Sequence, residues 1–228
     1  MKKRRKVGPK FIVIEGLDGS GKGTQTQLLV EALRAAGEHV LVVDFPQYGK
    51  PSAALVEQYL NGAFGTAKDV TPYQASLLYA VDRFSASAEM KAHLKSGGTI
   101  VSNRYTTANQ MHQAGKIRNM TKRSAFLKWL DILEYEILAI PRPDTVIFLD
   151  IPVSTSQKMV GTKETRAYLK SGTHDIHEKD VRHLQDARRT AHYVAKKYKW
   201  HTVACTTPDG VMRSREVIAQ KIFETVRP

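Results

Sequence analysis

The segment Gly16–Lys22 has the spacing G-x-x-x-x-G-K. It follows the apolar run Phe11–Ile14 and opens a stretch with Leu28, Leu29, Ala32, Leu33 and Ala36 at helical spacing. A glycine turn between strand and helix lets successive backbone N–H groups face phosphate oxygens. The helix start adds the positive end of its dipole, and Lys22 adds a full charge. Gly16, Gly19, Ser20, Gly21, Lys22, Gly23 and Thr24 are therefore candidate contacts to the phosphates of a nucleoside triphosphate. Gly23 stands where many such loops place Ser or Thr for magnesium, and the hydroxyl of Thr24 comes one place later. Phosphoryl transfer needs charge stabilisation and in-line placement, so the rest of the site must supply arginines, acids and an acceptor pocket.

Three further stretches carry those residue types: Asp44–Gly62, Tyr79–Ala86 and Val101–Lys116. Tyr79 and Arg83 are one helical turn apart and share a face. Arg104 follows an apolar strand, where a guanidinium fork suits a phosphate.

The elements that must hold these groups alternate in type. Strands are expected at Lys10–Glu15, His39–Phe45, Thr99–Ser102, Thr145–Leu149 and His201–Cys205. Helices are expected at Lys22–Ala36, Ser52–Leu60, Tyr73–Lys95, Lys122–Leu138, Val181–Lys197 and Arg213–Val226, with Thr71-Pro72 as a start signal for the third. Strands that are nearly all apolar, separated by helices, indicate an α/β fold with a parallel sheet covered on both faces. Ligands gather at the carboxyl ends of such strands, where the first and third stretches fall. Thr155–Asp180 is polar, charged and poor in core residues, and reads as an excursion from the core. Residues 1–9 read as a basic leader and residues 10–228 as one domain.

Together with the glycine loop, "DFPQYGKPSAALVEQYLNG", "YAVDRFSA", "NRYTTANQMHQ" and "DIHEKD" resemble the thymidylate kinase family from Phe11 to about Ile222. The resemblance implies a three-layer P-loop kinase fold, a five-stranded parallel sheet with a mobile lid at about 155–180. It implies ATP and dTMP as substrates, Mg2+ with ATP, and a homodimer, with the long helix Tyr73–Lys95 offered as interface. Asp18 would approach the acceptor sugar or the magnesium shell. Phe45 and Pro46 would wall the nucleotide pocket, Tyr79 would stack on thymine, and Arg83 and Arg104 would grip the acceptor. Asn109 would bond the base edge with Gln110 in support. His112 replaces an aromatic residue near the sugar. Arg166 of the lid, with Lys163 next, would reach the transferring phosphate, and Tyr168 would cover the pocket. Asp18, Thr24 and Glu178 are the metal candidates, Glu178 through water. Asn103 departs from the family's Asp-Arg pattern and weakens that position as a ligand, so Asn103→Asp is expected to keep or raise turnover. The segment Cys205–Ser214 falls where the family packs adenine.

The chain carries a net charge of +13, six of whose Lys/Arg lie in the first ten residues. The remaining +7 suits a phosphate-bearing small molecule. The basic start also fits a nuclear-import segment, though a solvated leader in a cytoplasmic protein is the reading favoured. One cysteine, Cys205, excludes an intramolecular disulfide. No apolar run approaches the roughly 20 residues of a membrane span. The competing functions are another nucleoside monophosphate kinase, an inactive relative, and a nucleic-acid-binding NTPase. The last lacks a DNA-binding motif and aromatics interleaved on a basic face.

Overall fold

The computed structural model describes residues 11–66, 69–161 and 181–227. Its core is one parallel sheet of β1 (Phe11–Gly16), β2 (Val40–Asp44), β3 (Thr99–Asn103), β4 (Thr145–Asp150) and β5 (His201–Ala204), in the order β2-β3-β1-β4-β5. The helices described are α1 (Lys22–Ala35), α2 (Ala54–Leu60), α3 (Pro72–Lys95), α4 (Thr106–Ala108), α5 (Met120–Ile132), α6 (Val153–Gly161), α7 (Val181–Tyr198) and α8 (Arg215–Val226). A π-helical run, Asn109–Gln113, extends α4, and another, Leu133–Ile137, extends α5.

The central strand shows why the opening run is apolar throughout. All six residues of β1 are buried. The pleat sends neighbours to opposite faces. Ile12 and Ile14 join Leu29 and Leu33 of α1 and Ile218 and Ile222 of α8 in one core cluster. Phe11 and Val13 join Ala86 and Met90 of α3 and Tyr105 in another. A strand buried on both faces has no polar side to show, which is the signature of a covered parallel sheet.

Local chemistry fixes the helix that carries Tyr79 and Arg83. Thr71 caps α3: its hydroxyl accepts from the Gln74 N–H at 3.3 Å, and the Gln74 side chain accepts from the Thr71 N–H at 2.9 Å. Pro72 fills the first turn, where its missing N–H costs nothing.

Three expectations shift. The helix expected at Lys122–Leu138 begins at Met120, capped by Asn119, and ends in π geometry. The polar run after β3 is helical, which its sequence pattern did not signal. Thr155–Gly161, assigned to the lid, belongs to α6. The rest of that lid, with Lys163, Arg166, Tyr168 and Glu178, lies outside the described residues, as does the basic leader.

Candidate active site

The carboxyl ends of β1, β2 and β3 open into a cavity of about 480 Å³. The glycine loop forms one wall. Its tight course explains the residue types. A Cβ on Gly16 would lie 2.8 Å from the Leu149 carbonyl oxygen, and one on Gly19, whose φ is +76°, would lie 2.7 Å from that of Ser156. Helix α6 presses on the loop here, and the Ser156 hydroxyl donates to the Asp18 carbonyl at 2.6 Å. Gly19, Gly21, Lys22 and Gly23 face the cavity. Ser20 is buried and Thr24 is exposed, and neither they nor Gly16 line it.

Lys22 is buried, yet its charge is engaged. Nζ donates to the carbonyls of Gly16 at 3.0 Å and Leu17 at 2.9 Å, and lies 3.6 Å from Asp18 Oδ1. Asp18 also pairs with the Arg104 guanidinium. Burial alone would lower the Arg104 pKa; Asp18 and then Glu15 more than reverse it, so the group stays charged. Arg104 sits at a φ of 63°, a left-handed backbone that costs a non-glycine residue about 1–3 kcal/mol. The strain aims this side chain off the end of β3 and across to the glycine loop.

The opposite wall comes from α3 and the run after β3. Phe45, Pro46, Tyr79, Arg83, Asn109 and His112 all line the cavity, so the residues of the three sequence stretches meet in one place. Arg83 is almost fully buried and held by Glu134, to which Nε donates at 3.1 Å and Nη2 also bonds. Burial works against its charge, and Glu134 overcomes that. Asn109 Nδ2 donates to the Ser76 carbonyl at 3.3 Å. His112 stacks on His183 of α7, with Nδ1 and Nε2 3.3 Å apart. Gln110 turns the other way, into a second cavity beneath α4. Gln110 stands about 100° round the helix from Asn109, enough here to send the two into different cavities.

The end of β2 supplies a residue the sequence reading missed. Asp44 pairs in register with Asn103 and opens to the cavity. Burial raises its carboxyl pKa, while a hydrogen bond from Asn103 and the charges of Arg104 and Lys22 pull it down less strongly. Asn103 Oδ1 is buried and has no hydrogen-bond partner among the described residues. Tyr48, Leu60, Tyr105 and Gln113 complete parts of the wall, also unforeseen. Behind it, Asp82 ties the β2–α2 loop to α3: it accepts from the Gln47 N–H at 2.8 Å and the Ser52 hydroxyl at 2.7 Å. A carboxylate directly beside an arginine, Asp82-Arg83, in the middle of α3 was the available signal.

The geometry thus sets the glycine loop with Lys22 and two guanidinium groups around one cavity. A model of the family described as thymidylate kinase matches residues 14–214. The chain belongs to the thymidylate kinase family. Among curated relatives, thymidylate kinase of Mycobacterium tuberculosis is 30% identical over 142 residues, 62% of this chain and 65% of the relative. The human thymidylate kinase is 31% identical over 148 residues, 65% of this chain and 64% of the relative. A probable thymidylate kinase of Thermococcus onnurineus is 32% identical over 166 residues, 68% and 73% of the two chains. The matches thus span just under two thirds of the length of the Mycobacterium and human thymidylate kinases. Within the thymidylate kinase match fall the glycine loop, Arg83, Arg104 and, outside the described residues, Arg166.

Cys205, the first residue of the segment suggested for adenine, is fully buried, and burial pushes its thiol up to about 12. In the thymidylate kinase fold seen here it is a core residue and no nucleophile. Native protein at pH 8 is expected to react with a thiol-specific disulfide reagent at least a hundredfold slower than protein unfolded in guanidinium. Equal rates would show the thiol to be open.

Proposed function

We propose that this protein transfers the γ-phosphoryl group of ATP to dTMP, giving ADP and dTDP. The observation that carries the reading is the meeting of two anion grips in one cavity: the Gly16–Lys22 loop on one side, Arg104 and Arg83 on the other. The loop and Lys22 hold the ATP phosphates. Arg104 clamps the acceptor phosphate, its fork matching two oxygens. Phe45, Pro46 and Tyr79 enclose the thymine, and Asn109 faces its edge. Asp18, between Lys22 and Arg104, spaces the two grips. Arg166 and Tyr168 are assigned to closure over the phosphates, which excludes water. The test is ADP release with dTMP, dUMP, dCMP, AMP or water as acceptor. Turnover dominated by AMP, or independent of any acceptor, would overturn the reading.

Magnesium with ATP would neutralise developing charge on the phosphates. The residues fit such an ion: Asn103 Oδ1 is an orphaned acceptor, and Asp18 and Asp44 face the same cavity. No cluster of three His, Cys, Asp or Glu able to hold a metal occurs among the described residues. One or two carboxylates suit an ion held mainly by phosphate and water. Thr24 is exposed and does not line this cavity. The register changes the expectation for Asn103→Asp. A second carboxylate directly beside Asp44 would meet like charge. We expect Asn103→Asp alone to lower turnover several-fold, and the exchange Asp44→Asn/Asn103→Asp to recover it. Turnover measured across magnesium concentrations checks this; a single variant more active than the parent would refute it.

The proposal includes a homodimer. An exposed apolar stripe runs along one face of α3 through Tyr73, Leu77, Val81 and Phe84, each 41–50% exposed. Such a stripe on a surface helix marks an interaction face. Val81→Glu/Phe84→Glu is expected to sediment as a monomer while the parent sediments as a dimer. Equal coefficients would remove α3 as the interface. A cytoplasmic location completes the reading; no described helix is long and apolar enough to cross a membrane.

A further inference from the structure

The second cavity, about 220 Å³, lies on the far side of the Thr106–Gln113 run from the first. It is bounded by that run, the end of α5, the start of β4 and the turn between α7 and β5. Its most telling residue is Gln110. The side chain is only 6% exposed, borders the cavity and has no hydrogen-bond partner among the described residues. Its amide atoms are not sealed in the interior but reach the cavity, where they are open to bond what enters it.

The charges around the cavity are already spent on each other. Both arms of the Arg142 guanidinium bond Asp131 at 2.8 Å, and its plane lies 3.9 Å over the Tyr135 ring. Asp144 Oδ2 accepts the Phe11 N–H at 2.8 Å. The groups left to meet a guest are the Gln110 amide, the Thr145 hydroxyl, the exposed His201 and the partly buried rings of Tyr198 and Trp200, which also pack against the core, with Lys199 exposed at the rim. Free phosphate or a carboxylic acid would find no available fork. An amide offers a donor and an acceptor side by side, and its complement is the edge of a planar heterocycle that carries the same pair reversed. Aromatic walls stack such rings with little regard to their identity. The volume is below the roughly 300 Å³ of drug-sized sites, which limits the guest to a ring with at most a sugar.

We propose that this cavity is a regulatory site for a neutral nucleobase or nucleoside, read by Gln110 and stacked near Trp200. Two routes join it to the active site. Asn109, His112 and Gln113, on the same helical run, face the first cavity. Thr107 borders the second, and its hydroxyl donates to Glu15 Oε2 at 2.8 Å, while Glu15 Oε1 accepts the Gly16 N–H at 2.9 Å. A guest that shifts the run or Thr107 therefore moves the start of the glycine loop. Such coupling is reciprocal: nucleotide in the active site changes the guest's affinity by the same factor.

The two tryptophans, Trp129 and Trp200, permit a local test. In the full chain carrying Trp129→Phe, Trp200 is the sole indole. Adenosine, guanosine, cytidine and uridine are titrated against its fluorescence with dTMP held saturating, so that the first cavity is filled. Saturable quenching by at least one nucleoside, weakened tenfold or more by Gln110→Leu, is expected. Thr145→Val, nearly isosteric, should weaken it in the same direction and guards against a folding defect in the first variant. No saturable quenching, or quenching indifferent to both variants, means that the cavity holds only water and overturns the site. The regulatory half rests on the proposed kinase reaction: the bound nucleoside is expected to shift the KM for dTMP at least threefold. An unchanged KM refutes that half. The Trp200 signal does not depend on turnover, so failure of the site and failure of the kinase reading are told apart.

Discussion

Lys22→Ala is expected to lower kcat by about 10²–10³ with little change in the KM for dTMP, the range seen when one preorganised charge or donor leaves a phosphoryl- or acyl-transfer site. The expectation follows from where the ammonium sits. It is buried, 3.6 Å from Asp18, and bonded to the first two carbonyls of the glycine loop. It therefore braces the loop and points its charge into the cavity that the phosphates would enter. Removing it also leaves the Gly16 and Leu17 carbonyls short of a donor, at about 1–3 kcal/mol in stability. The two effects separate by measurement. Melting temperature reports the brace, and single-turnover rate at saturating ATP and dTMP reports the charge. Lys22→Met fills the stem's volume without its charge, so it should recover part of the stability and none of the rate. If Lys22→Ala retained more than a tenth of parental turnover, the loop would not be the ATP site.

How much of this was legible in the sequence depended on whether a residue serves the core or the cavity. β1 and β4 could be read because burial on both faces leaves an unbroken apolar run. α3 could be read at its start because Thr71, Pro72 and Gln74 are chemically a cap. The Thr106–Gln113 run could not, although it is central to both cavities. A helix that turns polar side chains to a cavity on either side has no apolar stripe, so Thr106, Thr107, Asn109, Gln110, His112 and Gln113 gave no 3.6-residue period; within this run Met111 joins the core cluster. The same absence hid the opposed directions of Asn109 and Gln110. Asp44 was missed for another reason. Its meaning lies in the register that sets it beside Asn103, and pairing between strands 59 positions apart is not written in either one. The glycine turn was legible because its tight course constrains local backbone, and local backbone demands glycine; that Gly16, Ser20 and Thr24 would stand off the cavity was not.

Arg83 poses the sharpest test, because it answers to both demands. Arg83→Met is expected to cost about 3–5 kcal/mol, or roughly 6–20 °C in melting temperature. The cost comes less from the lost pair than from Glu134, fully buried and stranded without its countercharge. Removing both charges should reverse it. In Arg83→Met/Glu134→Leu the pair is replaced by apolar groups of similar bulk, a change that is often neutral in stability. The double variant then isolates function from folding. On the proposed reading Arg83 also reaches the acceptor, as its place in the cavity wall beside Tyr79 suggests. The double variant should therefore melt within a few degrees of the parent, yet keep a KM for dTMP raised at least tenfold. Recovery of both quantities would assign Arg83 to the core alone and leave Arg104 as the sole acceptor grip, and the strained backbone at Arg104 would then be the feature on which acceptor binding turns.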